Sequence, residues 1–228
     1  MNIIPAILPQ SYRGITLGVE KVHDTIDTVQ IDFVDGHVAH TRTWLFNNKD
    51  TEHYSAIERE DEGMPYWETM NYEFDLMVKD PLEKMDMFIA LGPSKVIFHL
   101  GTFQEGAMLA YLEQMPQIVR DTIAVGMAIN LDTDPSAVAP YLEYIDTIQC
   151  MGIRDVGFQG RTLDLAVLEQ IKKARALYPD KTISVDGGVT LENAQALADA
   201  GADSLVVGSA IFRSPEPYGT IEAFKRIN

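Results

Sequence analysis

Short apolar runs recur along the chain at residues 3–8, 28–34, 72–77, 95–100, 124–129, 147–151, 182–186 and 204–207. Most are hydrophobic throughout rather than alternating. A strand that reads apolar on both faces is covered on both faces, as in a parallel sheet flanked by helices. The intervening segments carry helical spacing and start signals. Asp80-Pro81 precedes a predicted helix over 81–91, and Asp134-Pro135 precedes another over 136–144. Residues 163–177 show helical apolar spacing. Thr190 with Asn193 opens a helix over 191–200 that Gly201 closes.

Eight strands alternating with helices in 228 residues predict a single (β/α)8 TIM barrel domain spanning 1–228. A doubly wound sheet is the alternative. That fold places a glycine-rich loop after its first strand, where this chain has Pro9-Gln10-Ser11. The connection over 37–71 is longer and more polar than the rest, holds Trp44 and Trp67, and predicts a short helix over 54–60. Such a loop at the catalytic end of a barrel serves as a lid, a specificity loop or an oligomer contact, and a homo-oligomer is expected.

Two apolar runs near the C-terminus end in glycines: Val185-Asp186-Gly187-Gly188, and Val207-Gly208-Ser209 some twenty residues later. Adjacent glycine turns let backbone N–H groups approach an anion. In a barrel they fall after strands 7 and 8, where phosphate binds. Net charge adds a constraint. At −16, with no basic run, the chain excludes nucleic acid as a primary ligand and an acidic membrane as a surface. A phosphate can still be held by local N–H groups. The single cysteine, Cys150, lies in an apolar run and reads as a small buried residue. No disulfide can form within the chain. With no signal-peptide pattern at the N-terminus, a cytoplasmic location is expected.

Acids inside apolar strands are the candidate chemistry. Asp32 shares one face of its strand with Gln30 and Val34, while Asp186 closes strand 7. A carboxylate buried in a strand needs a partner or a task. Two inward carboxylates on strands 2 and 7, taken as opposite sides of the barrel, suit removal of a proton from one face of a carbon and its return to the other. Asp35, before Gly36, reads as a turn residue capping the strand end. Asp75 interrupts strand 3 and, with Gln30, Asp32 and Asp186, makes an oxygen-only set suited to Mg²⁺, Mn²⁺ or Ca²⁺ rather than Zn²⁺. The alternative for Asp75 is a hydrogen bond to backbone or to Gln30. His99 ends strand 4 at the catalytic rim. Met77 and Met151 end strands 3 and 6 as an apolar floor beside the acids. Gly157 and Gly160 mark a mobile loop after strand 6, from which Arg161 can reach a phosphate.

These motifs resemble the ribulose-phosphate 3-epimerase family from about residue 4 to residue 212. The resemblance rests on Pro5-Ala6-Ile7-Leu8, Asp32-Phe33-Val34-Asp35-Gly36-His37, Leu76-Met77-Val78 with Asp80-Pro81, Phe98-His99, Gly126-Met127-Ala128-Ile129-Asn130, Val185-Asp186-Gly187-Gly188 and Gly208-Ser209-Ala210-Ile211-Phe212. It implies epimerisation of a pentulose 5-phosphate at C3, with Asp32 and Asp186 as the acid/base pair around a metal-stabilised enediolate. It also implies phosphate contacts at Gly187, Gly188, Gly208 and Ser209, a methionine shield at Met77 and Met151, and a divalent cofactor such as Mg²⁺, Mn²⁺ or Zn²⁺. The chain departs from the pattern at five places. Ala6 replaces the family's Ser, Gln30 and Asp75 replace its two metal-binding His residues, and Val34 replaces a shield Met. Arg154-Asp155-Val156-Gly157-Phe158-Gln159-Gly160 replaces an Asn-Pro-Gly-Phe-Gly-Gly loop. At this point a lyase or aldolase reaction through the same enediolate, and a non-catalytic sugar-phosphate binder, remain open.

Overall fold

The apolar runs become eight strands. In the computed structural model, which describes residues 1–227, these are β1 (Asn2–Ile7), β2 (Thr28–Val34), β3 (Asn71–Met77), β4 (Lys95–His99), β5 (Ala124–Ile129), β6 (Thr147–Met151), β7 (Thr182–Asp186) and β8 (Ser204–Val207). All neighbours pair in parallel, and β8 closes on β1 to complete a barrel in strict chain order. The helices wrapping it are α1 (Tyr12–Glu20), α2 (Thr51–Glu58), α3 (Met85–Ala90), α4 (Glu105–Gln114), α5 (Gln117–Arg120), α6 (Ala166–Leu177), α7 (Leu191–Ala200), α8 (Ser209–Phe212) and α9 (Pro217–Lys225). Among the described residues no helix is long and apolar enough to cross a membrane.

Two hydrophobic layers explain the near-continuous runs. Outward residues such as Phe33, Phe74, Phe98 and Val185 join the helix faces, including Ile15, Phe88, Ile171 and Leu197, in one continuous core. Inward residues form two small apolar clusters inside the barrel: Ile4, Ala6 and Val206 on one side, and Ile97, Ala128 and Met151 on the other. Most other inward side chains, among them Gln30, Asp32, Glu73, Asp75, Gln149 and Ser184, are polar, with Val34 and Met77 apolar at the mouth. At the lower end of the interior Lys95 Nζ pairs with Glu73 Oε1 at 2.8 Å.

Local chemistry sets several helix ends. Thr190 and Asn193 make a reciprocal capping box at α7, and Gly201 ends that helix at φ 112°, where a side chain is disfavoured. The 81–91 segment differs from the expected single helix. It is a 3₁₀ turn (Pro81–Lys84) followed by the short α3, because Asp80 sits at φ 48° and makes no side-chain cap. Its backbone N–H instead donates to Thr102 O at 2.8 Å, tying the loop after β3 to the loop after β4. Residues 135–141 are likewise 3₁₀, although Asp134 does accept from Ser136 N as its position predicts. Helix α6 starts at Ala166 rather than residue 163, and α2 spans 51–58 rather than 54–60.

In the long β2–β3 connection, Trp44 is fully buried against Tyr12 and Phe33, and its Nε1 donates to Asp50 O at 3.2 Å. Trp67 stays 65% exposed. The connection is thus anchored by one tryptophan on the outer face of β2 and α1.

Candidate active site

Register places the acids. Asp32 on β2 lies directly beside Asp75 on β3, both pointing inward near the C-terminal ends of their strands. Asp186 ends β7, beside Met151 on one neighbour and Val206 on the other. One carboxylate oxygen from each of Asp32, Asp75 and Asp186 lies within 4.8 Å of the others. Barrel closure corrects one expectation. β2 and β7 are not opposite but are separated by β1 and β8. The two carboxylates therefore reach the mouth from strands three places apart rather than from diametrically opposite walls.

Each acid has a donor. Gln30 Nε2 donates to Asp32 Oδ1 and to Asp186 Oδ2, both at 2.9 Å, so one amide bridges the pair. Asp75 bonds neither to backbone nor to Gln30. Its Oδ1 lies 2.6 Å from His99 Nε2, and its Oδ2 accepts from Gln149 Nε2 at 3.3 Å. Gln149 is a site residue that the structure adds. Its signal was available, since a polar residue stands at inward parity with Met151 in an apolar strand.

Burial dominates the electrostatics. It pushes the Asp32 carboxyl well above the usual range, helped by the neighbouring charges of Asp186 and Asp75 and opposed by the Gln30 bond. It raises the Asp186 carboxyl to about 7, aided by Asp75 and opposed by the Gln30 amide. His99 is held above its ordinary value because Asp75 outweighs the cost of burial. The pair therefore holds a proton near neutral pH, as an acid/base device requires.

The donor set fits a hard divalent cation. Three carboxylates supply oxygen. The buried carbonyls Gln30 Oε1 and Gln149 Oε1 have no hydrogen-bond partner, and buried acceptors are rarely left so. Turning the Gln30 amide over, an exchange of O for N of nearly identical shape, presents Oε1 to the acids.

Beside the acids lies a cavity of about 40 Å³. It is lined by Asp32, Asp186, Met77, Met151, Gly157, Gly160, Gly187, Gly188, Gly208 and Ser209, together with Ala6, Phe158 and Gln159. The glycines are required. Gly187 and Gly188 adopt φ 104° and 72°, and a Cβ on Gly188 would lie 2.5 Å from Leu163 N. Thus every glycine read as a phosphate contact reaches the cavity. His99 does not line it but stands behind Asp75. Arg161 is directed elsewhere, stacking on Phe158 at 5.1 Å and lying 3.8 Å from Asp155. Asp35 is the turn residue its position predicts. It accepts from His37 N at 2.8 Å and Lys79 N at 2.9 Å, stapling the β2 and β3 loops. Cys150 is fully buried.

A closed parallel barrel with acids at its C-terminal mouth, next to a glycine cradle after β7 and β8, defines the phosphate-binding class of TIM-barrel enzymes. The chain belongs to the ribulose-phosphate 3-epimerase family, whose model matches residues 2–212. It is thereby an enzyme of the carbohydrate epimerase class. Among curated proteins it is similar to ribulose-phosphate 3-epimerase of Schizosaccharomyces pombe, at 27% identity over 68% of this chain and 65% of that one. It is also similar to the cytoplasmic isoform of Oryza sativa subsp. japonica, at 27% identity over 99% of this chain and 93% of that one. Among solved structures, 3-hexulose-6-phosphate synthase from Salmonella typhimurium shares the fold. Its TM-score is 0.67 at 18% identity, over 100% of this chain and 98% of that one.

Proposed function

We propose that the chain epimerises a phosphorylated ketose at the carbon beside its carbonyl, in the manner of a ribulose-5-phosphate 3-epimerase. The carrying observation is the Asp32–Gln30–Asp186 arrangement, in which two buried carboxylates are fixed by one amide next to a glycine cradle.

The phosphate anchors at Gly187, Gly188, Gly208 and Ser209, with the β6 loop glycines Gly157 and Gly160 closing over it. Met77 and Met151 shield the reacting carbons from water. One Asp of the pair, ionised, takes the proton from C3. The other, protonated, delivers a proton to the opposite face, so the configuration inverts while total charge is conserved. Gln30 holds both carboxylates in reach, and His99 and Gln149 hold Asp75. A divalent cation held by Asp32, Asp75 and Asp186 would stabilise negative charge developing on the substrate oxygens, and the Gln30 carbonyl would join the three only with its amide turned over, the cation then replacing the Gln30 N–H as the link between Asp32 and Asp186.

The test is solvent exchange. In D₂O, purified protein should place deuterium at C3 of ribulose 5-phosphate and of no other carbon, with formation of the C3 epimer. Absence of exchange across a panel of ketose phosphates, with and without Mg²⁺ or Mn²⁺, overturns the proposal. Cleaved product seen by NMR moves the reaction to a lyase.

A further inference from the structure

We propose that Gln149, a fully buried residue of β6, is a ligand of the divalent-cation site, so that it and Gln30 present two neutral carbonyl oxygens to an ion held by Asp32, Asp75 and Asp186. The inference rests on the cation reading above and extends the ligand set to an amide on the far wall of the barrel.

Gln30 and Gln149 stand two residues before Asp32 and Met151, so both point inward, one layer below the mouth. Their strands, β2 and β6, lie four places apart in the closed ring of eight, and the two amides therefore come from opposite walls. Each turns its nitrogen to the acids. Gln30 Nε2 lies 2.9 Å from Asp32 Oδ1 and from Asp186 Oδ2, and Gln149 Nε2 lies 3.3 Å from Asp75 Oδ2. Between them the two amides touch every carboxylate of the cluster.

Gln149 is poorly used as a donor. Its bond to Asp75 is longer than the usual N–H···O range, and its other contact is the Met151 sulfur at 3.9 Å, a weak acceptor. Its Oε1 is buried and has no partner among the described residues. Gln170 Oε1 is also without a partner, but the Gln170 nitrogen makes two short bonds, to Asn130 O at 2.8 Å and Thr133 O at 2.9 Å. That amide is accounted for by its nitrogen, and the Gln149 amide is not. The register neighbour of Gln149 is Ala128, which joins Ile97 and Met151 in the apolar cluster of that wall. An apolar residue would fit there without stranding a carbonyl. A glutamine in its place makes physical sense when its oxygen has a cation to face.

The oxygen and nitrogen of an amide exchange places when it turns over, with almost no change in shape. Turned over, Gln149 brings its oxygen to the side of Asp75 Oδ2. Oxygens that share a hard cation stand about 3 Å apart, because metal–oxygen distances are about 2.1–2.4 Å. The 3.3 Å separation is of that size, and Gln30 meets the same condition toward Asp32 and Asp186. His99 keeps its hold on the other oxygen of Asp75. Three carboxylates already outweigh a divalent charge, so two neutral carbonyls add ligands without adding repulsion. The resulting all-oxygen set suits six-coordinate Mn²⁺, with a position left for a substrate oxygen.

The test is Mn²⁺ binding at pH 8, followed by the electron paramagnetic resonance of free Mn²⁺, in wild type, Gln149→Leu and Gln149→Glu. Thermal midpoints without metal check that the variants fold. Gln149→Leu should bind Mn²⁺ about tenfold or more weakly. Gln149→Glu should bind at least as tightly as wild type, since a carboxylate can take the place of a carbonyl on the ion. A residue that served only to donate to Asp75 would behave in the opposite way, because Glu there repels Asp75. Weakened binding in a folded Gln149→Glu, or unchanged binding in Gln149→Leu, overturns the proposal. A second arm uses wild type alone, carrying ¹³C at the glutamine side-chain carbonyls and loaded with Mn²⁺. Electron–nuclear double resonance should show couplings from two glutamine carbons, and a coupling from one alone overturns the assignment. If wild type takes up no Mn²⁺, the cation reading falls together with the proposal, while the epimerase reading is decided separately by deuterium exchange in the metal-free protein.

Discussion

Asp186 makes a measurable claim on stability. Its carboxyl is raised from 3.8 to about 7 by burial and by Asp75. Below about pH 4 both folded and unfolded chains hold its proton, and burial costs nothing in ionisation. Between about pH 4 and pH 7 the unfolded chain releases the proton while the folded chain keeps it, so stability falls by about 1.4 kcal/mol per pH unit. Above pH 7 both forms are ionised and the loss is complete, at about 4 kcal/mol as an upper figure. Asp186→Asn removes the titration while keeping the shape and the contact with Gln30. Urea unfolding of both proteins in a chelator, from pH 4.5 to pH 8, separates this effect from the general repulsion of an acidic chain, which both share. The two should be of similar stability at the acid end. The Asn variant should gain relative to wild type as pH rises, reaching a lead of several kcal/mol at pH 8. Added Mg²⁺ or Mn²⁺ should close that gap by stabilising wild type selectively. Parallel curves across the whole range would refute the placement of an ionisable Asp186 in a dry acid cluster.

Three other perturbations follow from the same geometry. Asp32→Asn and Asp186→Asn should each lower C3 deuterium exchange by about 10²–10⁴-fold, read by NMR, with the folded spectrum retained. Lys95→Met should destabilise the barrel by about 3 kcal/mol in urea, because Glu73 is left inside without its 2.8 Å partner. Replacing both members, Lys95→Met with Glu73→Leu, should recover most of that loss. Gly188→Ala should cost about 1–2 kcal/mol or more from its φ of 72° alone, and it should also impair phosphate binding, since its Cβ meets the backbone of Leu163.

The strands were legible because burial on both faces leaves an unmistakable apolar run. Most boundaries agree within a residue, since Asp, Gly and Pro punctuate them. Helices were less legible. Helix α1 carries a clear buried stripe of Tyr12, Ile15 and Val19 and a Ser11 cap, but Gly14 and Gly18 lower its helical propensity. Helix α9 has its start signal in Pro217, but little helical apolar spacing follows it beyond Ile221 and Phe224. Asp32, Asp75 and Asp186 announced themselves as charges in apolar strands. What pairs with what did not. The His99–Asp75 contact spans 24 residues and the Gln30–Asp186 contact 156, and both depend on register and closure.

The substitutions at positions 30 and 75 are coupled by charge. A strand-2 imidazole and a strand-3 imidazole would bring neutral nitrogen donors to a metal, leaving Asp32 and Asp186 as the only acids. With Asp75 in place of the second imidazole, the set gains a negative charge in a site where Asp32 and Asp75 are adjacent in register. An uncompensated third carboxylate there is expensive. The structure meets that cost locally. His99, one strand further round, supplies to Asp75 the imidazole that position 75 lacks, and Gln149 adds an amide. Gln30 supplies a further amide to the other two acids. His99 thus stands behind Asp75, and a cation held by Asp32, Asp75 and Asp186 would face oxygen alone. Hard oxygen ligands favour Mg²⁺ or Mn²⁺ over Zn²⁺. Cation affinity should therefore rise with pH, since burial raises the carboxyls of both Asp32 and Asp186.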